Sequence, residues 1–391
     1  MPLSDATSAD SSQLRHGIPQ ASHFAASKIK PYASTPDGGR RDDPMSDVQL
    51  TKVREAHRFD EDVLGQYLAA NIQGYRGPMT VQQFEGGQSN PTFQLATPEV
   101  NYVLRKQPPG ELLPSAHQVD REYRVMQALE HSAVPVPQMY CLCVDPSVIG
   151  TKFYVMEMVE GRLCTNTLLP DFSKEERRAL YADLAQVMAA LHNVDVEAVG
   201  LSDFGRPGNY YERQIRRWTK QYLASQTEDI AAMDNLMQWL PDNIPEQKKT
   251  VIVHGDYRLG NTLIHPTEPH IVALIDWELC TTGDALADLG YLCQEYYADA
   301  YTSVGLASAD VTSLGLPTQD EFVAEYCQHA HLDGIDNWLF YVIYNMFRSA
   351  GIVQGVYKRG IDGNASSQTA LEYKAVARLR AERAWALVES L

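Results

Sequence analysis

Apolar and polar residues alternate at two different periods along the chain, and the change of period divides it. Between residues 79 and 159 the apolar runs are short and follow the period of two that is typical of strands. We predict strands over 79–85, 92–97, 101–106, 138–145 and 151–159, with helices over 59–72 and 117–131. This part of the chain therefore predicts a small sheet with helical cover.

Helical spacing dominates after residue 173. Ser173 and Glu176 fit a capping box, and apolar residues then recur at helical spacing. Beyond this first helix we predict helices over 208–225, 228–240, 284–298, 319–331, 336–353 and 366–389. The expected fold class is α+β, with a small β-rich N-lobe and a larger α-helical C-lobe.

The chain divides into three parts by composition. Residues 1–46 are rich in Ser, Ala, Asp and Pro without an apolar period, which predicts a disordered leader. We assign residues 47–158 to the N-lobe, with a sheet and one helix, and residues 159–391 to the C-lobe.

Charge and cysteine spacing limit the possible partners. The 391 residues carry a formal net charge of −17, which argues against nucleic acid as a partner because phosphate binding needs an excess of Lys and Arg. No apolar run approaches the ~18 residues of a membrane span, and no secretory signal is visible. The six cysteines form no CxxC pair. We expect reduced thiols and a cytoplasmic protein without a membrane partner.

Candidate chemistry concentrates in "VIVHGDYRLGNTLIHPTEPHIVALIDW", residues 251–277. His254-Gly255-Asp256 and then Asn261 have the spacing of the kinase loop H-R-D-x-x-x-x-N, with Gly in place of Arg. Phosphoryl transfer needs a carboxylate that orients a hydroxyl and oxygen ligands for Mg²⁺. We predict Asp256 as the base and Asn261 and Asp276 as metal ligands. Each alone also suits a turn or a helix cap, but the ordered set favours a metal-nucleotide site.

Upstream segments supply candidates for nucleotide binding. The loop between the first two strands is predicted to close over the ATP phosphates through Gly86, Gly87, Gln88, Ser89 and Asn90. It lacks G-x-G-x-x-G, so a plain hairpin loop explains it equally well.

The strand "NYVLRK" places a cation near the phosphates. Only one of two consecutive strand residues faces inward, so Arg105 is favoured and Lys106 is its rival. Glu122 is the expected partner of this cation, or else a solvated carboxylate. Glu157 and Met158 suit a hinge whose backbone contacts the base, and this sequence does not choose between ATP and GTP.

The sequences of four segments resemble those of a known family: "VLRKQPPGELLPSAHQVDREYRVMQAL", "FYVMEMVEGR", "HGDYRLGNTLI" and "LIDWELCTTGDALADLGYL". Over about residues 57–360 the chain resembles the aminoglycoside phosphotransferase and choline kinase superfamily, which has a protein-kinase-like fold. Within it, the chain looks most like the phosphotransferase domains associated with acyl-CoA dehydrogenases. The resemblance implies ATP and Mg²⁺, Asp256 as the catalytic residue, Asn261 and Asp276 as metal ligands, and Asp284 and Asp288 as supporting acids. Asp284 equally suits a helix N-cap.

The same resemblance implies a hydroxyacyl-CoA acceptor and a separate acyl-CoA dehydrogenase as a functional partner. Arg258, in the catalytic loop, is predicted to be a catalytic residue together with Asp256. Candidate acceptor residues are Arg213, Arg217 and Lys220, which with Arg216 share a predicted helix face, and Arg348. Their alternative is a solvated face with local ion pairs. Other hydroxyl acceptors (an aminoglycoside, an amino alcohol such as choline, a sugar) and a non-catalytic nucleotide-binding protein remain rival interpretations.

Overall fold

The computed structural model describes residues 50–85, 90–110, 117–206, 208–298, 305–363 and 370–391. Of the predicted segments, the leader and the residues 86–89 of the first loop lie outside these ranges. Among the described helices, none combines the length and the apolarity needed to cross a bilayer.

An antiparallel sheet of six strands forms the centre of the N-lobe, in the order β1-β2-β3-β4-β6-β5. Its strands are β1 Leu50–Thr51, β2 Thr80–Phe84, β3 Thr92–Ala96, β4 Asn101–Lys106, β5 Met139–Cys143 and β6 Phe153–Glu157. Two helices accompany it, α1 Glu61–Asn71 and α2 Val119–Leu129. Every strand of this sheet that is longer than two residues coincides with one of the five predicted strands.

The two faces of this sheet have different neighbours. Tyr102 and Leu104 of β4 share a buried cluster with Leu64 of α1. The other face lies towards α2, whose Val125 packs in one cluster with Tyr154 of β6. Because side chains alternate along a strand, Arg105 and Lys106 at the end of β4 project to opposite faces.

Helices make up most of the C-lobe. They are α3 Lys174–Asn193, α4 Tyr210–Ser225, α5 Ala231–Asp242, α6 Leu286–Cys293, α7 Gln319–Ala330, α8 Trp338–Ile361 and α9 Lys374–Glu389. One apolar cluster joins α3, α6 and α7, and a second joins α4, α5, α8 and α9. The predicted two-lobed α+β fold is confirmed.

Short ladders within the helical part hold the segment that carries the candidate chemistry. Antiparallel pairs order β7 Arg162–Leu163, β9 Thr262–Ile264 and β10 Ile271–Leu274 as β10-β9-β7, and β8 Val251–Val253 pairs with β11 Thr281–Gly283. The catalytic-loop sequence follows β8, and Asp276 follows β10. Two ladders therefore bring both strand ends to one place.

Candidate active site

The segment after β8 forms a tight loop around the carboxylate of Asp256. The side-chain amide of Asn261 donates to Asp256 Oδ2 at 2.7 Å and to the Asp256 carbonyl oxygen at 2.8 Å. Arg258 Nε lies 3.3 Å from the same Oδ2. Burial lowers the pKa of Arg258, but the neighbouring groups, above all the charge of Asp256, outweigh burial and raise that pKa. The loop thus holds one partly exposed carboxylate between a cation and an amide.

Asp288 of α6 holds the backbone of this loop in place through hydrogen bonds. Its side chain is fully buried, with 0% exposure, and accepts hydrogen bonds from the backbone N–H groups of His254 at 2.7 Å and Gly255 at 2.8 Å. His192 Nε2 of α3 lies 3.3 Å from the carboxylate. Burial would raise the pKa of Asp288, yet the hydrogen bond and charge of His192 hold it below its ordinary value. The Asp284 carboxylate, by comparison, accepts the N–H of Leu286, at 2.9 Å.

Gly255 occupies a position that admits no side chain. Its φ is +83°, and a Cβ atom there would lie 2.6 Å from the Leu279 carbonyl oxygen. Its own carbonyl oxygen accepts a hydrogen bond from the guanidinium of Arg348. Glycine between His254 and Asp256 is therefore required by both backbone conformation and space.

Asp276 lies beside this loop at the end of β10. It adopts the left-handed conformation, with φ +65° and ψ +62°, which Asp tolerates better than most residues. A backbone hydrogen bond joins the end of β10 to the loop after β8. The N–H of Ile275 donates to the Asn261 carbonyl oxygen at 2.9 Å. Trp277 is 1% exposed and its ring centroid lies 4.7 Å from that of His254. Asp276 is thus held next to Asn261 by a packed frame.

Arg105 connects the sheet to Asp276. Its Nε lies 3.0 Å from Glu122 Oε2 on α2, and its Nη2 lies 2.7 Å from Asp276 Oδ1. Lys106 is also buried, but its ammonium lies over the Phe59 ring at 5.6 Å on the opposite face. Of the two rivals at the end of β4, the structure brings Arg105 to the acidic cluster.

Glu122 is surrounded by groups that stabilise its charge. It is 1% exposed and accepts hydrogen bonds from Asn90 Nδ2 at 2.7 Å and from the Tyr154 hydroxyl at 3.0 Å. Burial raises the pKa of Glu122, and the charge of Arg105 opposes that rise. The solvated alternative for Glu122 is wrong, because the side chain is enclosed.

The hinge candidates lie where β6 ends. Glu157 is exposed and pairs with the backbone of Gln138, whose N–H donates to its carboxylate at 3.1 Å. The sulfur of Met158 accepts from Gln94 Nε2 at 3.2 Å. These contacts order the hinge, and its backbone role stays a prediction.

The cations of α4 have separate surroundings. Arg213 donates to the carbonyl oxygens of Arg206 and Gly208, while Arg217 lies 5.5 Å from the Trp218 ring. Lys220 lines, with Arg216, an open groove of about 480 Å³ between α4 and α5. Among the residues that the structure describes, none of the four forms an ion pair with a carboxylate, so the local ion pairs proposed as their alternative are not found there.

Sequence reasoning missed three residues that shape the site. Tyr154 and His192 each contact an acid of the frame. Tyr291 of α6 lies near Asp256: burial raises the pKa of its hydroxyl, and the charge of Asp256 raises it further. All three occur in apolar segments, where a polar ring resembles an ordinary core residue, so no local signal identifies them.

Comparison with known proteins agrees with this geometry. A model of the phosphotransferase enzyme family matches residues 80–340. The chain is 44% identical over 336 residues to acyl-CoA dehydrogenase family member 10 of Mus musculus, covering 85% of this chain and 31% of that protein. It is 38% identical over 339 residues to acyl-CoA dehydrogenase family member 11 of Homo sapiens, covering 85% of this chain and 44% of that protein. The chain therefore spans less than half the length of these relatives.

Solved structures give the same assignment. A Ralstonia eutropha JMP134 protein assigned to the aminoglycoside phosphotransferases is 46% identical, with a TM-score of 0.78 over 85% of this chain and 99% of that one. An aminoglycoside phosphotransferase in complex with AMP-PNP and hygromycin B is 18% identical, with a TM-score of 0.53 over 83% of this chain and 97% of that one, and supports the fold alone. On the family match and the extent of these similarities, the chain belongs to the phosphotransferase enzyme family.

Proposed function

We propose that this phosphotransferase transfers the γ-phosphoryl group of ATP to a hydroxyl group of a small molecule, with Mg²⁺, in the cytoplasm. The observation that carries the proposal is the convergence of Asp256, Asn261 and Asp276 from two strand ends. In this role Asp256 orients the acceptor hydroxyl and takes its proton. Arg258, beside the same carboxylate, helps to hold it in place.

The residues present fit a magnesium ion. The amide nitrogen of Asn261 is used by Asp256, which leaves the amide oxygen for a metal, and Asp276 adds a carboxylate that is 32% exposed. Oxygen ligands of this kind suit Mg²⁺, which would neutralise charge on the nucleotide phosphates. Arg105, braced by Glu122, is proposed to contact the phosphates, and the loop with Gly86 and Gly87 to cover them.

A hydroxyacyl-CoA is the acceptor we favour. The relatives named above are called acyl-CoA dehydrogenases, and this chain matches 31% to 44% of their length. Within this acidic chain, the exposed cations of α4 have no carboxylate partner among the described residues, which leaves them available for CoA phosphates. A separate acyl-CoA dehydrogenase would then use the phosphorylated product.

An aminoglycoside or another hydroxyl compound is the second candidate acceptor. The assignment of the 46% identical Ralstonia protein favours it. A cationic acceptor needs a groove lined by carboxylates, whereas the described surroundings of Asp256 carry Arg258 and Arg348.

One assay separates these candidates. ADP release from ATP and from GTP is measured with and without Mg²⁺, in the presence of 3- and 4-hydroxyacyl-CoAs, free hydroxy acids, choline and aminoglycosides. We expect release with ATP, dependent on Mg²⁺ and stimulated by a hydroxyacyl-CoA. Stimulation by choline or an aminoglycoside alone would reject the CoA acceptor, and nucleotide binding without turnover on the whole panel would reject the kinase.

Arg105→Lys is expected to raise KM for ATP by about tenfold. Lysine offers a point charge, which cannot contact Glu122 and Asp276 together as the guanidinium does. Initial rates at varied ATP measure the change. Lys106→Met is the matched control, because that side chain faces Phe59, and its KM for ATP should stay within twofold of the wild type. The opposite pattern would assign the phosphate contact to Lys106.

A further inference from the structure

Arg348 is a buried cation without a counter-ion. It is 6% exposed, and its one hydrogen bond among the described residues goes to the Gly255 carbonyl oxygen. None of the described carboxylates pairs with it, and Asp256 acts on it only at longer range. Its guanidinium lies 4.8 Å from the Tyr291 ring centroid and 5.4 Å from that of Trp218. Because a buried charge is unfavourable unless paired, a missing anion or carbonyl oxygen is expected here.

Two further buried donors, on Trp218 and Tyr344, lie beside Arg348. The indole N–H of Trp218 and the hydroxyl of Tyr344 are buried, with residue exposures of 8% and 1%. Tyr344 faces Trp218 and Tyr210, yet neither of the two donors makes a hydrogen bond of regular geometry within the described structure. Since buried donors are normally satisfied, two donors without a regular acceptor in the described structure, beside a buried cation that has no described carboxylate partner, indicate a binding subsite.

The position of these donors relates them to the reaction. Arg348 contacts the residue that precedes Asp256, and the ring of Tyr291, whose hydroxyl interacts with the Asp256 carboxylate, lies 4.8 Å from Arg348. A group bound by these donors would therefore belong to the acceptor. On the outer side of Trp218, the exposed Arg217 lies 5.5 Å from the same ring and continues the positive surface towards solvent.

We propose that Arg348, the Trp218 indole N–H and the Tyr344 hydroxyl form a subsite that binds an acyl oxygen of the acceptor. This inference rests on the proposed kinase function and specifies its substrate class as hydroxy acids or their thioesters. The carbonyl oxygen of a CoA thioester and the oxygen of a free carboxylate share the required chemistry. An ammonium group is disfavoured at this place, because it would lie next to the buried cation of Arg348.

Equilibrium binding tests the subsite without requiring turnover. Titration calorimetry in the presence of Mg²⁺ and AMP-PNP compares butyryl-CoA with its thioether analogue butyl-CoA, which lacks the carbonyl oxygen. A second pair compares 4-hydroxybutyrate with 1,4-butanediol. We expect the wild type to bind the member with the acyl oxygen, butyryl-CoA or 4-hydroxybutyrate, about 10 to 100 times more tightly than its partner in at least one pair. Selectivity within the first pair assigns a thioester, and selectivity within the second alone assigns a free acid.

Tyr344→Phe and Trp218→Phe identify the donors. Each is expected to reduce the selectivity about fivefold, because each removes one donor and no existing hydrogen bond of regular geometry. Tyr222→Phe is the matched control: its hydroxyl is also buried and unpartnered, but it lies one turn further along α4, near Asp234. Arg348→Gln should abolish selectivity, and a merely structural role of Arg348 would instead weaken both members of a pair equally.

The outcomes separate this inference from the proposed function. Equal binding within both pairs by the wild type, or selectivity that survives in Tyr344→Phe and Trp218→Phe, would overturn the subsite. Selective binding together with no phosphoryl transfer to any hydroxyl acceptor would retain the subsite and reject the kinase. Phosphoryl transfer to a hydroxyl acceptor without selective binding within either pair would support the kinase function and reject the subsite.

Discussion

Asp256→Asn is expected to lower kcat for the favoured acceptor by about three orders of magnitude. General base catalysis contributes roughly 10² to 10⁴ in rate, and an amide cannot accept the hydroxyl proton. The substitution keeps the shape of the side chain, and an amide oxygen can still accept the 2.7 Å hydrogen bond from Asn261. The affinity for AMP-PNP should therefore remain within about threefold of the wild type, since Asp256 is not a predicted metal ligand.

Initial-rate measurements of ADP release and calorimetric titration of AMP-PNP together check this result. Asp336→Asn is the matched control, because that carboxylate is exposed and pairs with Lys248 outside the catalytic loop. A loss of less than tenfold in Asp256→Asn would remove Asp256 from the role of base. An equal loss in the control would point to a general effect on folding.

Asp288→Ala is expected to reduce the free energy of unfolding by about 3 to 5 kcal/mol, the usual cost of breaking a buried charge network. The change leaves two buried backbone N–H groups and the His192 ring without their acceptor. Because these N–H groups belong to His254 and Gly255, catalytic activity should fall with stability. Urea unfolding followed by tryptophan fluorescence gives the free energy, and Asp284→Ala, which loses one backbone hydrogen bond, should cost about 1 to 2 kcal/mol.

The pH dependence gives a second check on Asp288. Its folded pKa lies below the value of 3.8 that is ordinary for Asp, so the stabilisation is complete above about pH 5 and is lost as the pH falls through the folded pKa. The difference in stability between the wild type and Asp288→Ala should therefore shrink below pH 4. A difference that stays constant down to pH 2 would show that the charge of Asp288 is not what stabilises the loop.

The fold was predictable where sequence patterns are long, and less so elsewhere. Five strands with alternating residues and the long amphipathic helices were anticipated. The helix α8 continues to Ile361, beyond its predicted end at 353, and Gln354 in the added part is buried and donates to the Ser225 carbonyl oxygen at 2.8 Å, a long-range contact that no local pattern predicts. The strands β1, β7, β9 and β11 were not predicted, since two or three residues are too few to establish a period.

The residues of the candidate site likewise differ in whether a local sequence pattern could predict them. Asp256, Asn261 and Asp276 were predicted as site residues from their spacing, which is a property of one short segment. The contact of Asp288 with His254, and that of His192 with Asp288, join residues 34 and 96 positions apart. The grouping of Trp218, Tyr344 and Arg348 likewise depends on how α4 packs against α8. No pattern within a window of residues encodes such a meeting, so these partners required the structure.

The enclosed position of Gly255 also bears on how this enzyme is regulated. Protein kinases have an arginine at the corresponding place, and Arg–phosphate pairs order their activation loops after phosphorylation. Here any side chain would meet the Leu279 carbonyl group, so no single substitution can introduce that arginine without rebuilding the loop. The present fold therefore does not allow a phosphorylated loop to act through an arginine at this position. Evolution of such control would first require a change in the backbone around Leu279.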